Sequence, residues 1–422
     1  MTRLKTLFAI FMLTLSASVN AQTWPSVGQE AKITTFADKR IKQYNMRRVL
    51  LWAIALCICV NVEARSVVKT FKVEDGNYRV TAVLGSKKSA GDTWVRAESR
   101  RLCFENIHTK KGEFKTITFT VNKRSPYINE KMRIKLKERE KDYENWDDML
   151  TIDFCGDNPQ VKDVQIEKID DAVTMFLCGN STVTDQNKEP WASWGQMIPR
   201  WFDDKVCVAN FAESGERTTS FISSNRWAAV MERAKKGDYI LIEFGHNDEK
   251  DKGPGSGAWY NFTYNLKRMI DEARQKECQV VLVTPTARRL FKDGKNQNTH
   301  GDYPAAAKAV AERENVPIID LTTMSTILYE TMGEEGSKRL LVHYPANTFP
   351  NQEKALADNT HFNTFGAYEI AKCIVEGLKQ LALPITNHIV GEWQGFIPSQ
   401  PDDWQKWSWP MSEFELQKPD GN

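Results

Sequence analysis

The segment VTMFLCGNSTVTD, residues 173–185, decides the fold class of the second half of the chain. A short, mainly apolar run that stops at a glycine is typical of a strand buried on both faces of a parallel sheet. The amide, the hydroxyl and the threonine that follow Gly179 would then lie at the carboxyl end of the strand, where ligands bind in such sheets. Ser181 is therefore either a nucleophile at a strand end or, taken alone, the N-cap of a helix.

The same alternation continues from residue 171 to about residue 389. Apolar runs alternate with amphipathic segments, which predicts a parallel sheet covered by helices on both faces, a three-layer α/β/α domain of the α/β class. The predicted strands are VTMFLCG, VCVANFA, DYILIEFG, QVVLVTPT and VPIIDL, and the predicted helices are WASWGQMIPRWF, SNRWAAVMERAKK, YNLKRMIDEARQKE, PAAAKAVAEREN and GAYEIAKCIVEGLKQL.

Residues 65–170 have a different pattern. Short runs with period-two alternation are separated by turn clusters such as EDGN and KKGE, and a long helical periodicity is missing. Several short strands in about 100 residues predict a small all-β sandwich of the jelly-roll type in front of the α/β domain. MRIKLKER, residues 132–139, is interpreted as one of its strands, and GDNPQVKDVQ, residues 156–165, as the exit from that domain.

The N-terminal residues contain two signal-like segments, 1–21 and 46–64. Each begins with basic residues, continues with apolar residues and ends at an alanine, which is typical of a secretory signal. We expect residues 1–64 to be a signal or leader region, with possible tandem signals, in which translation starts at Met46 and residues 1–45 are an upstream extension. We expect the mature protein to be secreted or periplasmic. The alternative is a membrane anchor over residues 50–62, but about 13 residues are too few to span roughly 30 Å of hydrocarbon. Stable membrane insertion after removal of the leader is therefore not expected.

The composition excludes several other classes of function. The formal net charge of +2 gives no electrostatic reason to expect a nucleic-acid partner. The cysteines beyond residue 64 show no C-x-x-C spacing, which disfavours a zinc site or a redox pair, although a disulfide stays open. The Trp-rich residues 391–422 are interpreted as a tail pinned to its domain, with stacking on sugars as the alternative.

Polar residues recur at four predicted strand ends or late loops. A serine attacks a carbonyl when a base takes its proton, a third group orients that base, and donors hold the oxyanion. Asp358 and His361 are three residues apart, so on a turn entering a helix they can pair and leave the other ring nitrogen to Ser181. The Asn247 side chain and the Gly215 N–H can act as oxyanion donors. The four blocks are GNST at 179–182, ESGE at 213–216, GHND at 245–248 and DNTH at 358–361.

This order of blocks resembles the SGNH (GDSL) hydrolases, and among them the rhamnogalacturonan acetylesterases, over nearly the whole second half of the chain. The resemblance implies that Ser181 is the nucleophile, His361 the base and Asp358 the group that orients it. It implies an oxyanion hole made by the N–H groups of Ser181 and Gly215 and the side chain of Asn247. It further implies an acyl-enzyme mechanism without a metal or organic cofactor, and an acetylated plant polysaccharide such as rhamnogalacturonan as the partner. The front sandwich likewise resembles galactose-binding-like domains.

One residue departs from the family pattern, because Asn180 stands where the family usually has Asp before the serine. Asn keeps one acceptor but loses the charge, and we expect a change in local positioning or pH profile. His246, Arg288 and His343 are candidates for substrate contact. Arginine suits uronate carboxylates, His246 lies in the GHND block, and His343 lies in the loop before the DNTH block. The alternatives are a structural role for His246 and a solvated charge pair for Arg288 with Arg289. Two alternatives to a rhamnogalacturonan acetylesterase stay open. One is an esterase for xylan or another acylated sugar, and the other is a non-catalytic carbohydrate-binding protein whose SGNH half has decayed.

Overall fold

Two antiparallel sheets make up the first part of the computed structural model, which describes residues 65–420. The predicted leader, residues 1–64, lies outside the described residues. The strands of this part are β1 (Arg65–Lys72), β2 (Gly76–Leu84), β3 (Gly91–Ala97), β4 (Arg101–Thr109), β5 (Lys115–Lys123), β6 (Met149–Asn158) and β7 (Val161–Ile169). One sheet has the order β1-β6-β3-β4 and the other has the order β5-β2-β7.

The two sheets pack face to face around an apolar core. Val80 and Leu84 of β2 are buried, and the residues between them are partly exposed or small, as expected for a strand with one face on a core. Their partners across the core include Val95, Ile152 and Phe154 of the other sheet. The all-β sandwich predicted from the sequence is confirmed.

Two predictions inside this region are wrong. Residues 156–165 are not an exit from the domain, because β6 continues to Asn158 and β7 then returns to pair with β2. Residues 132–139 are not a strand of either sheet. Their alternation has another cause, because Ile134 is buried together with Trp146 in a core of the second part of the chain.

The second part contains a five-stranded parallel sheet. Numbered along the chain, its strands are β8 (Val173–Cys178), β9 (Val206–Asn210), β10 (Tyr239–Glu243), β11 (Gln279–Val283) and β14 (Ile318–Ile319). Their order in the sheet is β14-β11-β10-β8-β9. Two short antiparallel hairpins complete the strands, namely β12 (Phe291–Lys292) with β13 (Lys295–Asn296), and β15 (Leu341–Tyr344) with β16 (Leu356–Phe362).

Helices cover both faces of this sheet. One core joins Leu241 of β10 to Ile374, and the other joins Ile242 of the same strand to Met269 and Val310. The three-layer α/β/α architecture is therefore confirmed. None of the helices between residues 65 and 420 is long and apolar enough to cross a membrane. The helices are α1 (Trp194–Met197), α2 (Thr218–Ser223), α3 (Arg226–Arg233), α4 (Thr263–Gln275), α5 (Tyr303–Glu314), α6 (Leu321–Gly336) and α7 (Thr364–Gln380).

The sandwich and the α/β part belong to one compact unit. Thr120 Oγ1 of β5 donates to the carbonyl oxygen of Val206 at 2.6 Å, which joins β5 to the edge strand β9. The ring of Trp94 in the sandwich meets Trp407 and Trp409 at centroid distances of 6.3 and 6.0 Å, so these tryptophans pin the tail. The domain boundaries near residues 170 and 390 stay predictions. All six cysteines of the described chain are free and buried.

Candidate active site

The turn after β8 presents Ser181. A Cβ atom on Gly179 would lie 2.5 Å from Val183 Cγ2, so only glycine fits where the chain leaves the sheet. The carbonyl oxygen of Ser181 accepts hydrogen bonds from Gln186 Nε2 and Ser193 Oγ, both at 2.8 Å. These contacts fix the backbone of Ser181 at the carboxyl end of a central strand, as the sequence predicted.

Ser181, His361 and Asp358 form a continuous hydrogen-bonded chain. His361 Nε2 lies 2.8 Å from Ser181 Oγ, and His361 Nδ1 lies 2.8 Å from Asp358 Oδ2. The two partners from the DNTH block lie on strand β16, not on a turn entering a helix as predicted. Their spacing still works, because Asp358 Oδ1 accepts the N–H groups of Thr360 at 2.8 Å and of His361 at 3.0 Å, which curls the carboxylate back toward the ring.

The charge of Asp358 determines which atoms donate and which accept in the hydrogen bonds between Ser181, His361 and Asp358. Burial alone would raise the pKa of the Asp358 carboxyl, but the hydrogen bond and charge of His361 and the backbone donors outweigh it and hold that pKa below its ordinary value. An ionised Asp358 accepts the Nδ1 proton of His361. The Nε2 atom is then left to accept the hydroxyl proton of Ser181, which is 3% exposed.

The candidate oxyanion donors lie in two neighbouring loops. Gly215 has φ +81°, a conformation that glycine adopts without strain. Asn247 Nδ2 donates to the carbonyl oxygen of Glu216 at 3.0 Å, which ties its loop to the Gly215 turn. Gln186 Nε2 lies 3.4 Å from Ser214 Oγ and also bonds Ser181, so the Gly215 turn is tied to the serine as well. The role of Gly215, Asn247 and the Ser181 N–H as an oxyanion hole stays a prediction.

A buried carboxylate shapes the loop that carries Asn247. Asp248 Oδ1 accepts from Thr218 N at 2.9 Å and from Thr218 Oγ1 at 2.6 Å, and its Oδ2 accepts from Gly245 N at 3.1 Å. Burial raises the pKa of Asp248 to about 6, against the effect of these donors. The carboxyl group of GHND therefore holds the loop that carries Asn247.

His246 is buried beside the triad. Its ring meets that of His300 at a centroid distance of 4.5 Å in an edge-to-face arrangement, and neither of its ring nitrogens has a hydrogen-bond partner within residues 65–420. Burial, followed by the nearby charges of His300, Arg288 and His361, lowers its pKa well below the ordinary value. The His246 ring is therefore neutral. Its contact with substrate stays a prediction.

The other two candidate substrate residues differ in their surroundings. Arg288 is engaged within the protein, because it pairs with Glu249 at 2.6 Å and donates to the carbonyl oxygen of His246 at 3.0 Å. Its guanidinium supports the GHND loop, which disfavours the uronate contact predicted for it. His343 Nε2 lies 2.9 Å from Asn359 Oδ1, next to the triad strand. Its contact with substrate stays a prediction.

Asn180 has a local structural role. Its Oδ1 accepts from Thr182 N at 3.1 Å and from Thr182 Oγ1 at 3.0 Å, and its buried Nδ2 has no partner in the part of the chain that is described. Thr182 Oγ1 also lies 2.8 Å from Glu243 Oε1, and burial raises the pKa of Glu243 to about 7. The amide oxygen thus makes the local bonds that a carboxylate oxygen would make.

Three charged groups near the site were missed by the sequence reasoning. Lys418 Nζ lies 3.4 Å from Asp358 Oδ2, and Arg139 and Lys137 approach the Gly215 turn. No pattern links these distant polar segments, so only the folded chain brings them together. Within residues 65–420, no group of three or more His, Cys, Asp or Glu side chains is arranged to hold a metal ion.

Comparison with known proteins places this geometry in context. Residues 177–367 match the model of the GDSL-like Lipase/Acylhydrolase family. The chain is 42% identical over 221 residues to rhamnogalacturonan acetylesterase RhgT of Bacillus subtilis strain 168, which covers 52% of this chain and 94% of that protein. It is 32% identical over 221 residues to the probable rhamnogalacturonan acetylesterase YesY of the same strain, and the match covers 52% of this chain and 98% of that protein. A solved structure of Bacillus subtilis YxiM has a TM-score of 0.46 at 24% identity, covering 75% and 80%.

Proposed function

Because this chain belongs to the GDSL-like lipase/acylhydrolase family and is a serine carboxylic ester hydrolase, we propose that it removes O-acetyl groups from rhamnogalacturonan in plant cell-wall pectin. The relatives named as rhamnogalacturonan acetylesterases support a carbohydrate esterase. The pectic substrate is the finer part of the proposal, and an acetylated xylan is the alternative within the same chemistry.

The hydrogen-bonded chain from Ser181 to Asp358 is the observation that carries the proposal. In the proposed reaction, Ser181 Oγ attacks the acetyl carbonyl carbon while His361 Nε2 takes the hydroxyl proton. The N–H groups of Ser181 and Gly215 and the side chain of Asn247 stabilise the oxyanion. The bond between the acyl carbon and the sugar oxygen then breaks. His361 gives its proton to that oxygen, so the sugar leaves with a free hydroxyl group.

The second half of the reaction regenerates the enzyme. A water molecule gives its proton to His361 Nε2 and attacks the acetyl group on Ser181 Oγ. Collapse of the second tetrahedral intermediate releases acetate, and the proton on His361 returns to Ser181. Asp358 keeps its charge throughout and stabilises the imidazolium that forms in each step.

The test is acetate release from acetylated rhamnogalacturonan, with acetylated xylan measured in parallel. We expect release from the pectic polymer that Ser181→Ala abolishes, and Ser223→Ala, which removes a hydroxyl from an exposed helix end, serves as the matched control. Serine-dependent release from xylan alone would replace the substrate but keep the chemistry. Glycan binding without release from either polymer would favour the non-catalytic alternative.

Export of the protein is also part of the proposal. With translation starting at Met46, residues 46–64 would be removed as the signal, and the mature chain would be secreted or periplasmic. N-terminal sequencing of the chain recovered outside the cytoplasm should begin close to Arg65. Recovery of the chain only in the cytoplasm, with residues 46–64 still attached, would contradict this.

A further inference from the structure

Residues 413–420 run across the candidate active site, and we call them the strap. The strap begins as a short strand-like pairing, in which Glu189 N donates to the carbonyl oxygen of Glu413 at 2.9 Å and Glu415 N donates to that of Glu189 at 3.0 Å. Between them, the ring of Phe414 stacks on Phe349 with a centroid distance of 4.4 Å and an angle of 9°. This end of the strap is therefore held by backbone hydrogen bonds and by aromatic packing.

The other end of the strap contacts both sides of the site. Lys418 Nζ lies 3.4 Å from Oδ2 of Asp358, the carboxylate that faces His361. Asp420 lies against the Gly215 turn, because its Cβ is 2.8 Å from the place that a Cβ on Gly215 would occupy. The strap thus passes from the acid of the triad to the turn that carries a candidate oxyanion donor.

The carboxylate of Asp420 occupies a position between two cations. Its Oδ1 is 3.1 Å from Arg139 Nη1, and its Oδ2 is 3.5 Å from Lys137 Nζ. Arg139 uses its other terminal nitrogen for Glu213 Oε1 at 2.6 Å and the carbonyl oxygen of Ser214 at 3.2 Å. One edge of the guanidinium is thus fixed to the protein, while the edge that meets Asp420 faces a side chain that is 55% exposed.

We propose that Lys137 and Arg139 form a subsite for the carboxylate of a uronic acid residue in the polymer substrate, and that Asp420 occupies this subsite as an internal stand-in. The inference rests on the proposed function, because it places a carboxylate of the proposed polymer substrate beside the candidate active site. Guanidinium and ammonium groups are suited to carboxylates. The Asp420 side chain is 55% exposed and stays partly hydrated in both pairs, which weakens them, so a substrate carboxylate can displace it at small cost.

The proposal makes two substitutions act in opposite directions. Asp420→Asn removes the internal competitor, so kcat/KM on an acetylated, uronate-containing pectic polymer should rise relative to kcat/KM on acetylated xylan. Lys137→Gln removes one cation of the subsite, so the same ratio should fall about tenfold, the loss expected for one charge-assisted hydrogen bond. Lys141→Gln, at an exposed lysine paired with Glu138, is the matched control.

A purely structural role for the Asp420 contacts gives a different pattern. Both Asp420→Asn and Lys137→Gln would then loosen the strap in the same way, and the ratio between the two polymers would move in one direction for both. That outcome, or a ratio that neither variant changes, would overturn the proposal.

A binding measurement separates the subsite from catalysis. Titration calorimetry with an unacetylated oligogalacturonate should show tighter binding to Asp420→Asn and about tenfold weaker binding to Lys137→Gln than to the unchanged protein. If no acetate is released from any polymer but these affinities change as stated, the proposed function fails and the subsite stands. Absence of oligogalacturonate binding in all three proteins would overturn the subsite, whatever the esterase activity.

Discussion

Replacement of Asp358 by Asn tests the direction of the hydrogen-bonded chain. The amide oxygen can keep both backbone bonds, from Thr360 N at 2.8 Å and His361 N at 3.0 Å. Its NH₂ group then faces His361 Nδ1, where Oδ2 stood 2.8 Å away. An amide can only donate from that position, so Nδ1 must accept and the ring proton moves to Nε2, facing Ser181. The imidazole can then no longer accept the serine proton.

The structure allows the size of this effect to be estimated. Because the backbone bonds survive and only the tautomer changes, we expect kcat to fall about 10⁴-fold, the loss typical of this exchange in a serine triad. This corresponds to about 5 kcal/mol of activation free energy. Initial rates on p-nitrophenyl acetate and on acetylated rhamnogalacturonan should fall by the same factor, since the proton transfer is common to both substrates.

Two further measurements exclude other causes. Thermal unfolding followed by circular dichroism should show that Asp358→Asn remains folded. Asp358 also contacts Lys418, which is 49% exposed, and Lys418→Met removes that ion pair alone. Because water screens the half-exposed Lys418 ammonium, which is 3.4 Å from Asp358, Lys418→Met should change kcat less than about fivefold. A folded Asp358→Asn protein that keeps kcat within about tenfold of the unchanged protein would refute the tautomer argument.

Three other substitutions test Asn180 beside the nucleophile and two buried carboxylates, Glu98 and Glu140. Asn180→Asp loses no hydrogen bond, because Nδ2 has no partner in residues 65–420, so kcat should stay within about tenfold while the pH–rate profile shifts; a loss as large as that for Ser181→Ala would contradict this. Burial raises the pKa of Glu98 from 4.5 to about 7, so its stabilising contribution is full below pH 4.5 and is lost as the pH rises through 7. Urea titrations measure the free energy of unfolding of Glu98→Gln minus that of the unchanged protein. This difference should be ~1–3 kcal/mol more favourable at pH 8 than at pH 5, and an equal difference at both pH values would be inconsistent with the argument. Arg226 pairs with Glu140 at 2.5 and 2.6 Å with both side chains fully buried, so Glu140→Ala should destabilise the protein by ~3–5 kcal/mol in the same assay, far more than Glu138→Ala on the surface.

The parallel sheet could be predicted because its strands are buried on both faces. Such strands read as nearly continuous apolar runs, and β8 is followed by a residue that the turn requires, because a Cβ on Gly179 would collide with Val183. The polar blocks then had to meet at one edge of the sheet. That is why Ser181, Asp358 and His361 could be placed together although 180 residues separate the first from the last.

The errors occur where a local pattern fits more than one surface. Ile134 alternates with polar neighbours as in a strand, but alternation does not reveal which core receives the apolar face, and here it is the α/β core. Helix α6 was missed because its first turns are rich in threonine and serine, and Gly333 lies inside it with φ +74°. Both features weaken the helical signal although Leu328 and Tyr329 are fully buried.

The strap could not be predicted from local pattern, because its contacts with the site are long-range ion pairs between polar segments. Lys418 and Asp420 belong to a polar tail, and Lys137 and Arg139 belong to a charged run that resembled a strand. The packing of the tail through its tryptophans was predicted correctly. The path of the chain around and beyond Trp409, however, depends on contacts with Glu189 and Phe349. Such long-range contacts leave no repeating pattern in the sequence from which they could be predicted.

The two ends of the strap differ in a way that bears on how a polymer reaches Ser181. The serine is 3% exposed, and the strap contacts Asp358 and the Gly215 turn near it, so we expect a bound sugar chain to displace part of the strap. The end near Phe414 is held by two backbone hydrogen bonds and a stacked ring pair, whereas Lys418 and Asp420 are held by half-exposed ion pairs. Ion pairs of this kind contribute about 1 kcal/mol or less each. Opening should therefore begin at the Asp420 end, where a uronate carboxylate would compete directly, and it requires no rearrangement of the sheet or of the triad.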